Sequence, residues 1–419
     1  MTNARLAADI GGTFTDVVLE HAGRRHSAKV LTTPRAPEEG MLEGISQVLA
    51  QAALLPSRIG VLIHGTTLAT NALIERKGAR TALVTTAGFR DVLEMGYEKR
   101  YEHYDLELEL PAPLVPRELR FAVEERITAR GEIRTPLLES SFKKIVEKIK
   151  EQKVEAVAIG FLHSYVNDFH EKQAEKVLAA ALPGVSVTLS SAVCPEIREY
   201  ERFSTACANA YVQPLMTSYL ERLAAELKRR GFGCPLYLMT SGGGLTTLET
   251  ARRFPVRLVE SGPAGGAILS AGLARENALD EVLSFDMGGT TAKICFIGQG
   301  RPEQSRKFEV ARVWRNLKGS GLPVRIPVTE MVEIGAGGGS IARLDEIRRI
   351  QVGPASAGAE PGPACYGRGG AEPTVTDANV ALGRIDPDAF AGGTLKLDRA
   401  AAERAVIARD LNLGHELRY

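Results

Sequence analysis

With 419 residues, 44% of them hydrophobic and 25% charged, the chain has room for two or three globular domains and ample core. Its 52 basic and 51 acidic side chains nearly cancel, so bulk electrostatics argues against a nucleic-acid or membrane-surface partner. No apolar run approaches the roughly 18 residues of a membrane span. The five cysteines include no C-x-x-C pair and the seven histidines no H-E-x-x-H run, which argues against a disulfide framework or a zinc site and fits reduced thiols in a cytosol. The chain enters a strand almost at once, without the basic and apolar regions of a signal peptide.

Asp9-Ile10-Gly11-Gly12-Thr13-Phe14-Thr15-Asp16 lies between apolar runs at 6–8 and 17–19, a pattern that predicts strand, tight turn and strand. Gly11 and Gly12 permit positive φ and close approach of another group. Thr13 and Thr15 add hydroxyl donors, and the N–H groups of such a turn form a concavity suited to phosphate. Asp9 and Asp16 would repel a bare phosphate, so this reading calls for a cation, Mg²⁺, between them. A plain β-hairpin is the alternative.

Residues 27–31 supply a third strand, broken from Pro34 to Pro37, and Leu42, Ile45, Val48 and Leu49 recur at helical spacing. A strand at 59–63 runs into His64-Gly65-Thr66-Thr67-Leu68-Ala69-Thr70-Asn71, where Thr66 or Thr67 is a natural N-cap with donors at the helix start. Residues 80–85 read as strand and 89–93 open a helix, whereas 97–116, rich in Tyr, Glu and Pro, read as an irregular excursion. An amphipathic helix follows on Phe142, Ile145, Val146 and Ile149, then a strand at 154–162, a helix at 174–182 and a strand at 185–189. This alternation predicts α/β architecture with a largely parallel sheet, the first domain closing near Ser191. Residues 196–230 form a long helical tract that Pro214 should kink or divide. After a strand at 236–239 and the turn Ser241-Gly242-Gly243-Gly244, the segment Glu260-Ser261-Gly262-Pro263-Ala264-Gly265-Gly266-Ala267 opens a small-residue helix. Anion binding at that helix start and tight helix-on-sheet packing both account for it.

At Phe285-Asp286-Met287-Gly288-Gly289-Thr290-Thr291 the first pattern returns, again flanked by apolar strands. Two such turns far apart predict duplicated halves and a clamped nucleotide. A third glycine-rich turn, Gly335-Ala336-Gly337-Gly338-Gly339-Ser340, would let the backbone approach the adenosine end. Ser340 stands where a G-x-G-x-x-G fingerprint needs its last glycine, and no G-x-x-x-x-G-K-[ST] occurs, so neither a Rossmann fingerprint nor a P-loop is present. Residues 353–370 predict an extended loop, Asp377 and Asn379 start a short helix, and 400–411 form the last helix.

The stretches AADIGGTFTDVV, HGTTLATNALIERKGA, GFRDVLEMG, REYERFSTACANAYVQPLM, SGPAGGA, LSFDMGGTT, IGAGGGSIARLD and GPACYGRGGAEPTVTDANVALGRIDP together resemble the hydantoinase A/5-oxoprolinase family. That group also holds the ATP-binding subunits of acetone and acetophenone carboxylases. The resemblance implies the actin-like ATPase fold of actin, hexokinase and the heat-shock chaperones. In it two ribonuclease-H-like halves, here 1–191 and 192–419, hold ATP in a cleft. It makes Gly11, Gly12, Thr13, Thr15 and Asp16 the first phosphate motif and Gly288, Gly289 and Thr290 the second, with Gly337, Gly338 and Gly339 in the adenosine motif. Asp9 and Asp286 would be the catalytic carboxylates and hold Mg²⁺, mostly through water. His64, Thr66, Thr67 and Asn71 are the candidate substrate residues, with a hydrogen-bonded structural role as the alternative for His64.

Two departures stand out. Lys293 occupies the place where the family's second motif carries a carboxylate, and family members usually run well past position 419, so the second half is expected to be truncated. The implied activity is ATP-dependent hydrolysis of a cyclic amide or imide through phosphorylation of the ring carbonyl, in a cytoplasmic heteromer with a hydantoinase B-type subunit. The alternatives are a ketone carboxylase subunit, an actin-like or chaperone-like nucleotide switch, a sugar kinase and an inactive fragment.

Overall fold

A computed structural model describes residues 4–408 apart from 13, 34–35, 98–99, 313–316, 359 and 394. Thr13 therefore lies outside the described residues. The chain forms two compact units, one of residues 1–265 with 304–329 and one of 266–303 with 330–419. These units part at 265/266, inside a helix.

In the first unit, strand alternation puts Ala4, Leu6, Ala8 and Ile10 of β1 (Ala4–Ile10) on one buried face. β1 pairs antiparallel with β2 (Phe14–His21), and β2 with β3 (Arg24–Leu31). The expected stripe on α1 (Pro37–Gln51) packs there through Met41, Leu42, Ile45 and Val48, and Gly44 brings the helix against Val17. β4 (Ile59–Thr66) lies parallel to the other edge of β1 and leads into α2 (Leu68–Ile74).

A second, all-parallel sheet has the order β8-β7-β5-β6, from β5 (Thr81–Thr86), β6 (Arg120–Val123), β7 (Ala156–Gly160) and β8 (Ser186–Leu189). Helices α3 (Phe142–Glu151) and α4 (Phe169–Ala181) accompany it. Every residue of β5 and β7 is buried, as in a sheet covered on both faces. The described residues of 97–116 carry no helix or strand, in line with the irregular excursion expected there.

α5 (Glu199–Arg229) runs through Pro214 without a break, correcting the expected division. Its buried residues, Phe203, Ala206, Ala210, Met216, Leu220 and Leu223 among them, hold it in the core, which outweighs the roughly 3 kcal/mol that an interior proline costs. β9 (Leu236–Met239) then pairs parallel with β4, and β10 (Leu245–Thr247) antiparallel with β9. The completed sheet, β10-β9-β4-β1-β2-β3, contains the ribonuclease-H-like arrangement: three antiparallel strands extended by two parallel ones.

α6 (Ser261–Glu276) crosses into the second unit, where Ala267, Ala271 and Ala274 pack on Cys295 and Ile297. β11 (Glu281–Met287) forms a hairpin with β12 (Ala292–Gly298), which also pairs with β13 (Arg301–Pro302) and β14 (Val332–Ile334). β15 (Ser340–Leu344) pairs with β16 (Ile350–Ser356), so residues 353–356 of the expected loop are strand, because β15 supplies ladder partners that composition does not reveal. α7 (Val375–Ala381) and α8 (Arg399–Ala408) enclose a small core of Cys365, Val380, Leu397 and Ala402. Residues 409–411 of the expected last helix lie outside the described residues. Among the described residues no helix is long and apolar enough to cross a membrane.

Candidate functional site

One backbone hydrogen bond closes both glycine turns. The Gly11 N–H donates to the Phe14 carbonyl at 2.9 Å, and the Gly288 N–H donates to the Thr291 carbonyl at 2.9 Å. Since Gly288 and Thr291 are the motif equivalents of Gly11 and Phe14, the sequence echo is also a conformational one.

Asp9 ends β1 beside Gly65 of β4. A Cβ on Gly65 would stand 2.5 Å from Asp9 Oδ1, and one on Gly262 would stand 3.3 Å from Oδ2. The carboxylate thus occupies a cradle that only two glycines leave open, at the N-terminal end of α6, where negative charge is favoured. The cradle is tied together by the buried Ser261. Its hydroxyl donates to the Thr66 carbonyl at 3.2 Å and accepts the Thr66 N–H at 3.4 Å. The Glu260 N–H donates to Thr70 Oγ1 at 3.0 Å, with Glu260 at φ 59°. Three separate motifs therefore meet around Asp9. Sequence reasoning singled out the segment from Glu260 to Ala267 but had no signal for its partner, because the pairing is long-range.

The remaining residues of the first hairpin divide by face. Thr15 is fully buried, with Oγ1 3.0 Å from Thr32 Oγ1, and Thr32 donates to the Gly11 carbonyl at 2.9 Å, so this pair braces the turn from beneath. Asp16 is exposed and pairs with Lys29 Nζ at 2.6 and 2.7 Å. A Cβ on Gly12 would meet nothing within 4 Å.

Thr67 stands at the N-cap position of α2, as expected, but its own side chain accepts no helix N–H. The Thr67 hydroxyl donates to the Ile10 carbonyl at 3.2 Å and accepts from Asn71 Nδ2 at 3.4 Å, while Thr66 Oγ1 accepts the Leu68 N–H at 3.2 Å. Thr67 thus spends its proton tethering the helix start to β1. His64 is fully buried: Nδ1–H donates to the Ala8 carbonyl at 3.1 Å, and Nε2 accepts from the Tyr219 hydroxyl at 2.7 Å. Burial pushes its pKa down to about 4, so the ring is neutral. With both nitrogens engaged, His64 has the geometry of the structural alternative and offers neither nitrogen to a substrate.

In the second unit the third glycine turn lies directly on the second hairpin. Gly338 N–H donates to the Gly288 carbonyl at 2.9 Å and Gly339 N–H to the Gly289 carbonyl at 2.7 Å. A trans peptide points its N–H opposite to its carbonyl, so the N–H groups of Gly289 and Thr290 face away from this turn. A Cβ on Gly337 would stand 2.5 Å from Gly289 C and Thr290 N, which is why that position needs glycine. The turn is braced in its own right, because Thr376 donates both N–H and Oγ1–H to the Gly338 carbonyl at 2.8 Å. Behind it, the buried Asp377 carboxylate accepts from the N–H groups of Ala364, Cys365 and Thr374 and from Thr374 Oγ1, completing a capping box on α7. Asp286 is exposed on β11, in register with Lys293.

Among the described residues no group of three or more His, Cys, Asp or Glu is placed to hold a metal. The Asp9 cradle instead offers a single fixed carboxylate, which suits a hydrated Mg²⁺ that keeps most of its waters.

The sheet order and the paired glycine turns define an α/β protein of the actin-like ATPase fold. The chain belongs to the hydantoinase/oxoprolinase family, whose N-terminal-region model matches residues 5–182 and whose hydantoinase/oxoprolinase model matches residues 202–416. It is 44% identical to an uncharacterized protein of Methanocaldococcus jannaschii over 96% of this chain and 60% of that protein. It is 39% identical to the caprolactamase subunit alpha of Pseudomonas jessenii over 98% of this chain and 59% of that subunit. The crystal structure of that ATP-dependent caprolactamase superposes with a TM-score of 0.80 at 38% identity, covering 96% of this chain and 58% of that one. A nucleotide-free acetone carboxylase, from work on ATP-dependent acetone carboxylation, superposes with a TM-score of 0.80 at 26% identity over 98% of this chain and 59% of that one. The chain thus spans about three-fifths of the length of these two curated relatives and about a third of the length of the 5-oxoprolinases it also matches.

Proposed function

We propose that this chain is the nucleotide-binding component of an ATP-dependent enzyme that opens a cyclic amide, working with a hydantoinase B-type subunit. The observation that carries the reading is the recurrence of one closed glycine turn in both units, each with an aspartate two residues before its first glycine. In the second turn, the Gly289 and Thr290 N–H groups face the side from which phosphate oxygens would approach, while the Gly337–Gly339 backbone holds the turn rigid. In the first, the glycines leave room for the Asp9 carboxylate, which supports its reading as a group that meets a cation through water. Asp9 and Asp286 are the carboxylates proposed to hold Mg²⁺, and a bound Mg²⁺ supplies neutralisation of phosphate charge. Phosphorylation of the ring carbonyl oxygen removes amide resonance and makes that carbon susceptible to water. The caprolactamase likeness supports a lactam-type ring, and the acetone carboxylase likeness supports a second reading, a ketone carboxylase subunit.

The test follows ATP loss by the chain with its B-type partner. Stimulation by lactams, hydantoins or 5-oxoproline is expected; stimulation only by a ketone with bicarbonate moves the assignment to the second reading. The Asp9→Asn variant is expected to lose ATP turnover with unchanged circular dichroism. Undiminished turnover in that variant would sink the role given to Asp9.

A further inference from the structure

The excursion at 97–116 carries a pattern that its conformation does not use. Residues 105–110 read Asp-Leu-Glu-Leu-Glu-Leu, the strict alternation of a half-buried strand. They form no strand, and among the described residues none of the six makes a backbone–backbone hydrogen bond. Leu106 is 95% exposed, Leu110 57% and the preceding Tyr104 93%. Both ends of the excursion are held. The Tyr97 ring meets Tyr200 of α5 edge-on at 5.0 Å, and Arg76 donates to the Ala112 carbonyl at 2.7 Å. Between these anchors lies an acidic, strand-patterned segment whose backbone groups await a ladder.

The same unit holds an open strand edge of the opposite charge. β3 ends the order β10-β9-β4-β1-β2-β3 and, among the described residues, pairs with β2 alone. Ala22 and Gly23, at φ 49° and 74°, form a two-residue turn that makes His21 and Arg24 a hydrogen-bonded pair. By alternation, the N–H and C=O groups of Arg25, Ser27 and Lys29 point away from β2. The Ser27 carbonyl accordingly accepts from the exposed Gln51 side chain at 3.3 Å. On the sheet face that carries these three side chains, charge alternates along each row. Arg5 donates to Glu20 at 2.8 Å with Arg25 next in register, and Lys29 donates to Asp16 at 2.6 Å. Both rows end at the edge in a cation, so a further strand calls for acids four residues apart. Asp105 and Glu109 have that spacing. With Glu107 opposite Ser27, the two stand opposite Arg25 and Lys29 in either strand direction. The leucines then fall on the α1 side, beside the buried Ala28 and Val30.

We infer that residues 105–110 of one copy of this chain add as a strand to the β3 edge of a second copy. Each copy gives one segment and receives one, so the exchange closes about a two-fold axis as a dimer. Period and charge together select this occupant: the segment supplies acids where both rows lack them and leucines where the α1 face continues. The exchange also covers a basic edge that would otherwise stay open to other strands. The inference is independent of the nucleotide reading, since a chain that turned over no ATP would still carry both surfaces.

The test is analytical ultracentrifugation of the full chain, in which the wild type is expected to sediment as a dimer. Asp105→Lys with Glu109→Lys is expected to raise the dimer Kd by roughly tenfold or more, and Arg25→Glu with Lys29→Glu to do the same, since each pair sets like charges opposite one another. Mixed in equal amounts, the two variants are expected to recover the dimer, because every segment then meets an edge of opposite sign. In the wild type, amide exchange at 105–110 and at Arg25, Ser27 and Lys29 is expected to slow as concentration rises through Kd, a measurement that needs no variant. A monomeric wild type, a dimer that either variant leaves intact, or a mixture that stays monomeric overturns the proposal. So does protection that is independent of concentration, the result for a segment lying on the edge of its own copy.

Discussion

Desolvation holds the His64 imidazole near a pKa of about 4, against an ordinary value of 6.5. Between those values the unfolded chain takes up a proton that the folded chain refuses, so stability rises with pH across this window. It is lost as pH falls from 6.5 toward 4, by about 3 kcal/mol in all. Urea midpoints measured at pH 7 and pH 4.5 are expected to differ accordingly. His64→Gln, weaker at pH 7, should lose most of that difference, and an unaltered pH slope in the variant would contradict the assignment. The Gly65 and Gly262 positions act at the same scale: each is defined by the volume that the Asp9 carboxylate occupies. A DxGGT pattern names the aspartate, but the residues that leave room for it lie 56 and 253 positions further along. No local rule connects them.

Elements show where propensity yields to context. α5 continues as one helix through Pro214 because its side chains are buried in the core, and 353–356 become strand because β15 lies alongside. α7 is short, and its stability rests on its cap. Asp377→Ala removes an acceptor shared by three buried backbone N–H groups and the Thr374 hydroxyl, and is expected to cost about 3 kcal/mol. Hydrogen exchange should rise at 337–340, which Thr376 braces, and stay unchanged across β1–β4. Equal protection at 337–340 in the variant would show that the glycine turn does not depend on this helix.

At the scale of the whole molecule, the nucleotide reading makes a thermodynamic statement. A ligand that binds only the folded state stabilises it by RT ln(1 + [L]/Kd), about 2.7 kcal/mol at a hundredfold excess over Kd. Mg-ATP is therefore expected to raise the melting temperature by about 2–4 °C, with EDTA removing most of the increment and Asp9→Asn abolishing the magnesium-dependent part. A shift given equally by ATP with EDTA would separate nucleotide binding from the metal.

The strand–turn–strand units, the helix stripes, the alternation of strand and helix and the duplicated glycine turns were all legible in the chain. Each is a short-range pattern of side-chain size, polarity and backbone freedom. The same patterns carried the family resemblance. What the tertiary structure decided is which distant segments meet: Ser261 and Gly262 at Asp9, the Gly337–Gly339 backbone on the second hairpin, and Tyr219 on His64. Those contacts depend on how sheets and helices pack across hundreds of residues, and burial then sets the role of each side chain. His64 became a neutral brace and Asp9 a cradled carboxylate for that reason: one lost its water to the core, while the other was left a space that two glycines keep open.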